Sequence, residues 1–285
     1  MRTVPPSAAF WGSQPGTDGR AHLLGAPLDL TGSGRLGTGA APPAIRRASH
    51  NIESYSPVLH ADLAHAALND HGDLDLGGLA LEPALVEIER AVSSLAPSGM
   101  PVLLGGEHTL TLGAVRAVRS RHQDLVVISF DAHLDLADEL DGQRLAHGTW
   151  ARRMGDQFGL GGLVLLGARS GTADEWHVAR TALHASESLD IPPSVRRAIA
   201  DRPVYLTIDI DVVDPAGAPG TGCPEPGGPS SRELLAAVHA LADLNVVAMD
   251  VNEVLPEVDP AGIAATLAAK LVRECVIQWD RGSGR

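Results

Sequence analysis

Cysteine is nearly absent from this chain, and positive charge is in deficit. The 285 residues hold only Cys223 and Cys275, without CxxC spacing. That scarcity indicates neither a disulfide framework nor a zinc knuckle. Lys and Arg total 22 against 35 Asp and Glu, a formal net charge of -13. Such a balance disfavours non-specific nucleic-acid binding and favours cationic or metal partners. No uninterrupted apolar span is long enough to cross a bilayer. Met1 to Arg20 is rich in Pro, Gly and Ser and lacks an apolar core, so it does not read as a signal peptide. A soluble cytoplasmic protein, partnered by neither membrane nor nucleic acid, is the expectation. At 44% hydrophobic, the chain can bury a large core as a single α/β domain over 1–285, with 1–20 and 281–285 loosely ordered.

What is abundant is alternation. Apolar runs predict strands at His22–Ala26, Val102–Leu104, Leu125–Phe130, Leu163–Leu166, Val204–Ile208, Val246–Met249 and Cys275–Trp279. Between them lie stripes of helical period: Leu85, Ile88, Val92 and Leu95; Leu234, Val238 and Leu241; and Ile263, Leu267 and Leu271. Ser230 and Glu233 suit a capping box at the start of the second. Strands alternating with helices imply a parallel sheet covered by helices on both faces.

Acidic and imidazole side chains collect just past the strands. Gly105-Gly106-Glu107-His108 follows Val102–Leu104, Asp131, His133 and Asp135 follow Leu125–Phe130, and Asp209 and Asp211 follow Val204–Ile208. Open α/β sheets place their sites at such carboxyl ends. His108, Asp131, His133, Asp135, Asp209 and Asp211 are thus six candidate metal ligands, more than one hydrated divalent ion can use. Two ions sharing bridging carboxylates can use them all. The oxygen-rich, thiol-free set suits Mn²⁺ better than structural Zn²⁺. A single DxH or DxD pair is ordinarily a turn or helix cap, but several converging on strand ends point to metal. Gly32-Ser33-Gly34-Arg35-Leu36-Gly37 matches GxGxxG, but Pro42-Pro43 and the residues before it separate the run from any helix, so it reads as a rim or contact loop rather than a dinucleotide site.

These motifs resemble the ureohydrolase family of arginases, agmatinases and formiminoglutamases. The likeness runs from about Leu24 to Glu274. It includes Gly105–His108, Asp131–Asp135, Asp209–Pro215, Pro219–Gly228 and Asp250–Glu253. The resemblance implies a three-layer α/β/α sandwich with a mainly parallel sheet, two Mn²⁺ ions and a trimeric or hexameric homo-oligomer. Carried over by residue, it makes His108 and Asp135 ligands of one manganese, His133 and Asp211 ligands of the other, and Asp131 and Asp209 bridges. It makes His147 the proton-handling histidine and Glu253 the partner of a guanidinium, with Asp135 also orienting the attacking hydroxide. Glu107 departs from the Asp that many members carry. The segment Asp135–His147 and the Gly220–Gly228 loop are most similar to agmatinases.

The implied reaction is attack by a metal-bridging hydroxide on the guanidino carbon of agmatine, giving putrescine and urea. Each non-ligand role has a plainer rival: His147 as a cap for the helix starting near Thr149, and Glu253 as a solvated strand-end acid. Asp138, Glu139 and Asp141 could form an acidic rim suited to a distal ammonium. Inward-facing Arg144 and Arg169 would favour a carboxylate instead, as in guanidinobutyrate or formiminoglutamate. Arginine is a further candidate substrate. Cys223 reads as a small rim residue. A single-zinc amide hydrolase of deacetylase type and an inactive scaffold are the alternatives from other classes.

Overall fold

The computed structural model describes residues 1–280 except 14, 15, 17, 96 and 98; the expectation for 281–285 lies outside the described residues. Strands are β1 (Thr3–Val4), β2 (Ala21–Ala26), the small hairpin β3 (Tyr55–Ser56) and β4 (Ala61–Asp62), β5 (Leu68–Leu74), β6 (Met100–Gly105), β7 (Val126–Phe130), β8 (Leu163–Leu166), β9 (His184–Ser186), β10 (Pro203–Asp209) and β11 (Asn245–Asn252). Helices are α1 (Ala41–Ser49), α2 (Leu81–Leu95), α3 (Leu110–Arg119), α4 (Trp150–Phe158), α5 (Ala173–Ala179), α6 (Pro193–Ile199), α7 (Ser231–His239) and α8 (Ile263–Trp279).

Among the described residues nine strands form one sheet, in the order β1-β5-β2-β6-β11-β10-β7-β8-β9. All neighbours pair in parallel except β1 with β5. Side chains alternate between the faces. Val126, Ile128 and Phe130 of β7 join a core with α1, α7 and α8, while Val127 joins a second core with α2, α3 and α4. The three-layer α/β/α sandwich follows. Leu85, Ile88 and Val92 of α2 are fully buried, and each contributes about 1.5–3 kcal/mol by leaving water. Ser230 and Glu233 form the capping box of α7: the Glu233 amide donates to Ser230 Oγ at 3.3 Å, and the Ser230 amide to Glu233 Oε2 at 2.7 Å.

Three expectations need correction. Cys275–Trp279 is the end of α8, not a strand. This helix is buried almost all round, so its apolar run carries no polar break to reveal its period. Its stripe excludes Ile263, which is 45% exposed. Residues 1–20 are not loosely ordered throughout: Thr3 and Val4 pair with Leu74 and Asp73, and Phe10 is fully buried. The sequence also conceals β5, whose Asn69, Asp70, His71 and Asp73 break the apolar pattern. Arg46 of α1 makes that strand tenable, because its buried guanidinium reaches Asp70 Oδ2 at 2.8 Å and also Asp73.

The order places β6, β11, β10 and β7 side by side, with β10 and β11 central. Parallel pairing brings their carboxyl ends to one edge, so the segments beginning at Glu107, Glu253, Asp209 and Asp131 meet there.

Candidate metal centre and substrate pocket

Each short acidic motif is a turn closed by its own carboxylate. Asp131 Oδ1 accepts the His133 amide at 2.6 Å, and Asp209 Oδ1 accepts the Asp211 amide at 2.8 Å. A short Asp side chain makes this bond two residues ahead, which sends the i and i+2 side chains to the same place. Asp211 Oδ1 accepts the Ala132 amide at 3.1 Å, tying the β10 turn to the β7 turn.

The structure brings all six sequence-predicted ligands together. His108 Nδ1 lies 3.1 Å from Asp131 Oδ2, 3.3 Å from Asp209 Oδ2 and 3.4 Å from Asp135 Oδ2. His133 Nδ1 lies 2.9 Å from Asp211 Oδ2 and 3.7 Å from Asp131 Oδ1. Two groups could therefore each hold an ion, His108 with Asp131 and Asp209, and His133 with Asp131 and Asp211. Asp131 belongs to both, as a bridge must. The first group is the inner one: the His108 side chain is 1% exposed and that of His133 28%.

The residues fit a divalent cation on two grounds. His108 Nδ1 is buried and makes no hydrogen bond, although three carboxylate oxygens surround it. A buried polar atom without a partner is costly unless something else satisfies it. The second ground is charge. Burial, with Asp211 and Asp131 close by, pushes Asp209 well above the usual carboxylate range; burial and Asp131 push Asp135 the same way. Among the described residues no Lys or Arg pairs with any of these four aspartates. Oxygen and imidazole donors without thiolate suit a hard or borderline divalent ion.

A polar layer beneath the site aims the inner imidazole. His108 Nε2 meets Thr207 Oγ1 at 2.8 Å, which turns Nδ1 toward the aspartates. Asn252 Nδ2 donates to Thr207 Oγ1 at 3.2 Å and to Asp250 Oδ1 at 2.7 Å, while Thr111 and Tyr205 donate to Asp250 Oδ2. Ligand orientation of this kind commonly governs metal affinity. Asp135 and Glu253 both adopt left-handed backbone, with φ of 53° and 62°. For residues other than glycine this costs about 1–3 kcal/mol and concentrates at functional sites.

A cavity of about 360 Å³ opens above the aspartates, and Ser33, Arg35, His147, Glu175, Cys223 and Glu253 are among its lining residues. Glu253 Oε1 accepts the His108 amide at 2.6 Å. Burial is the main cause pushing its carboxyl up to about 8, and that amide opposes the shift. Because its carboxyl is withdrawn from solvent and bonded to that amide, it is not a solvated strand-end acid, and no Lys or Arg among the described residues pairs with it. His147 is not a helix cap either. Thr149 Oγ1 takes the Ala146 amide at 2.9 Å, whereas His147 Nε2 meets Ser33 Oγ at 2.9 Å beside the cavity. Glu107 accepts the Leu30 and Thr31 amides at 2.7 and 2.6 Å and so anchors the loop that carries Ser33.

Other expectations fall away from the pocket. Arg169 donates to the carbonyls of Gly167, Asp211, Val212 and Glu225, which holds the β8 and β10 loops together. Arg144 is 67% exposed beside Asp138, and Asp138 also pairs with Arg153 at 2.7 Å. Asp138, Glu139 and Asp141 do not line the cavity, so it has no acidic rim from that segment. Among the described residues, Arg35 is the guanidinium that lines the wall. Cys223 does line the pocket, and its thiol donates to the Ser33 carbonyl at 3.5 Å.

Sequence reasoning missed Thr207, Ser33 and Trp150. Thr207 left a signal, a polar side chain inside a buried strand next to Asp209. Trp150 left a weaker one, since a buried indole N–H requires an acceptor; it donates to Asp135 Oδ2 at 2.7 Å. Ser33 sat within the discounted glycine loop.

A sequence profile of the arginase family matches residues 20–278. The agmatinase of Bacillus subtilis (strain 168) is 40% identical over 263 residues, which cover 90% of this chain and 91% of that protein. The guanidinobutyrase of Pseudomonas aeruginosa is 34% identical over 276 residues, covering 90% and 86%. Among solved structures, proclavaminate amidino hydrolase from Streptomyces clavuligerus aligns with a TM-score of 0.86 at 31% identity, over 99% of each chain.

Proposed function

The chain belongs to the arginase family, whose members hydrolyse guanidino C–N bonds, and we propose that it is a manganese-dependent agmatinase that converts agmatine to putrescine and urea. The observation that carries this reading is the pair of ligand groups sharing Asp131 beneath a carboxylate, Glu253, with which no Lys or Arg among the described residues forms an ion pair. His108, Asp131, Asp135 and Asp209 are assigned to one ion, and Asp131, His133, Asp209 and Asp211 to the other. Divalent ions, if held there, would supply the nucleophile by lowering the pKa of bound water toward neutrality.

The chain's own residues do the rest. Glu253 takes the planar guanidinium through charge-assisted hydrogen bonds and aims its carbon at the aspartate cluster. A cationic substrate suits it, because the guanidinium provides the charge that the burial of Glu253 demands. Asp135, fixed at its left-handed position, orients the attacking water by accepting a hydrogen bond from its O–H. The departing amine needs a proton, and His147 on the cavity wall provides it, with Ser33 holding its Nε2.

Agmatine is favoured by the agmatinase relatives and by the absence of Arg144 and Arg169 from the cavity wall. Arg35 favours a second reading: a guanidinium lining the cavity suits a distal carboxylate, as in guanidinobutyrate. Assembly as a cytoplasmic trimer or hexamer belongs to the same proposal. No helix among the described residues is long and apolar enough to cross a membrane. The test is urea release from agmatine, guanidinobutyrate and arginine after manganese loading. Agmatine is expected to show the highest kcat/KM; urea from none of them overturns the proposal, and preference for guanidinobutyrate selects the second reading.

A further inference from the structure

One indole touches two of the residues assigned to the inner ion. Trp150 opens α4 and is fully buried. Its Nε1 donates to Asp135 Oδ2 at 2.7 Å, and that same oxygen lies 3.4 Å from His108 Nδ1. Its ring also stands against the His108 imidazole, with centroids 4.8 Å apart and planes inclined by 35°. Since Thr207 holds the far nitrogen of that imidazole, His108 is fixed at its face by Trp150 and at its edge by Thr207.

Asp135 needs such a restraint more than its neighbours do. The carboxylates of Asp131 and Asp209 are each tied to a backbone amide of their own turn, and Asp211 to that of Ala132. The Asp135 carboxylate instead accepts its hydrogen bond from Trp150. Its backbone is left-handed, at φ 53°. An indole N–H buried without an acceptor costs about 1–3 kcal/mol, so Trp150 and Asp135 lock each other in place.

We propose that Trp150 is a positioning residue whose N–H aims Asp135 and thereby sets the affinity of the inner ion, leaving that of the outer ion untouched. Among the described residues no hydrogen bond or ring contact joins the indole to His133 or Asp211, which lie on the β7 and β10 turns. The inference rests on the metal-dependent reading above. Chemically, the indole lowers the freedom of the ligating oxygen without adding charge, which a Lys or Arg in its place would do.

The test is calorimetric titration of the metal-free protein with Mn²⁺, comparing wild type with Trp150→Phe, which keeps an aromatic ring and removes the donor. The inner ion is expected to bind about 10–100-fold more weakly, as for other residues that orient a ligand, with the outer ion unchanged. Saturating Mn²⁺ should restore two ions per chain in the variant, with KM for the guanidine unaltered, a pattern that general loosening would not give. Equal affinities of wild type and Trp150→Phe for both ions would overturn the proposal. Should Trp150→Phe fail to fold, wild type labelled with ¹⁵N-tryptophan serves, read through its 4 indole N–H signals. One must shift with the first equivalent of diamagnetic Zn²⁺; if none moves, the proposal is wrong. Lack of urea release by wild type would sink the amidinohydrolase reading but leave these binding measurements standing.

Discussion

Two buried acidic clusters sit at different places in the same sheet, and they handle their charge in opposite ways. Near β5, the fully buried Arg46 takes both oxygens of Asp70, at 2.8 and 2.9 Å, and also Asp73. The amides of Phe10 and Gly72 complete Asp70. Even the space is prepared: a Cβ on Gly25 would lie 1.7 Å from Asp73 Oδ1. At the carboxyl ends of β7 and β10, four buried aspartates face two imidazoles, and among the described residues no guanidinium or ammonium pairs with them. Where the chain carries its own cation, the cluster is structure. Where it withholds one, the cluster could hold cations from outside the chain.

The largest effect expected from this contrast is on stability. Arg46→Met strips the counter-charge from Asp70 and Asp73 and should cost about 3–5 kcal/mol, read by urea denaturation. The β5 cluster is then structural; an unchanged midpoint would erase the distinction. Next comes Asp131→Asn, which removes the residue common to both ligand groups. It should lower kcat/KM by on the order of 10²–10³-fold.

The contrast also explains what could be read from the sequence. The site was legible because its carboxylates follow apolar runs at fixed spacing: Asp131, His133 and Asp135 after one strand, Asp209 and Asp211 after another. Every strand that builds the site edge is an apolar run of recognisable length. The β5 cluster was illegible because Arg46 and Asp70 are 24 residues apart, with no pattern linking a helical Arg to a polar strand. Tertiary pairing, not propensity, makes that strand. The end of α8 was misread for a related reason, as uniform burial erased its period. Arg144, Arg169 and the acidic segment after Asp135 were placed near the site by sequence proximity, but side-chain direction sent them elsewhere.

Smaller effects sharpen the comparison. Glu274 belongs to a third buried group whose cations are internal: it accepts from Ser56 at 2.6 Å and faces His239 at 3.0 Å and Arg273. Burial pushes its carboxyl up, but these partners outweigh burial and hold it below its ordinary value of 4.5. A folded-state pKa below the unfolded one stabilises above the unfolded value, and that contribution is lost as pH falls through the folded one. Glu274→Gln should therefore destabilise by roughly 1–3 kcal/mol near neutrality, with the gap to wild type closing below pH 4.5. The smallest expected change has the opposite sign. Asp209→Asn relieves a buried charge that Asp211 and Asp131 repel, so the metal-free variant should gain about 0.5–2 kcal/mol while losing activity. Thermal melting after exhaustive chelation reads it; a loss of stability there would mean that Asp209 is satisfied without a cation.

The most direct measurement is elemental analysis of chelated protein reloaded with manganese, in wild type and Asp131→Asn. Two manganese ions per chain in wild type, and their loss in the variant, are what a shared carboxylate between paired cations predicts. A single zinc, or no bound metal at all, in wild type contradicts it.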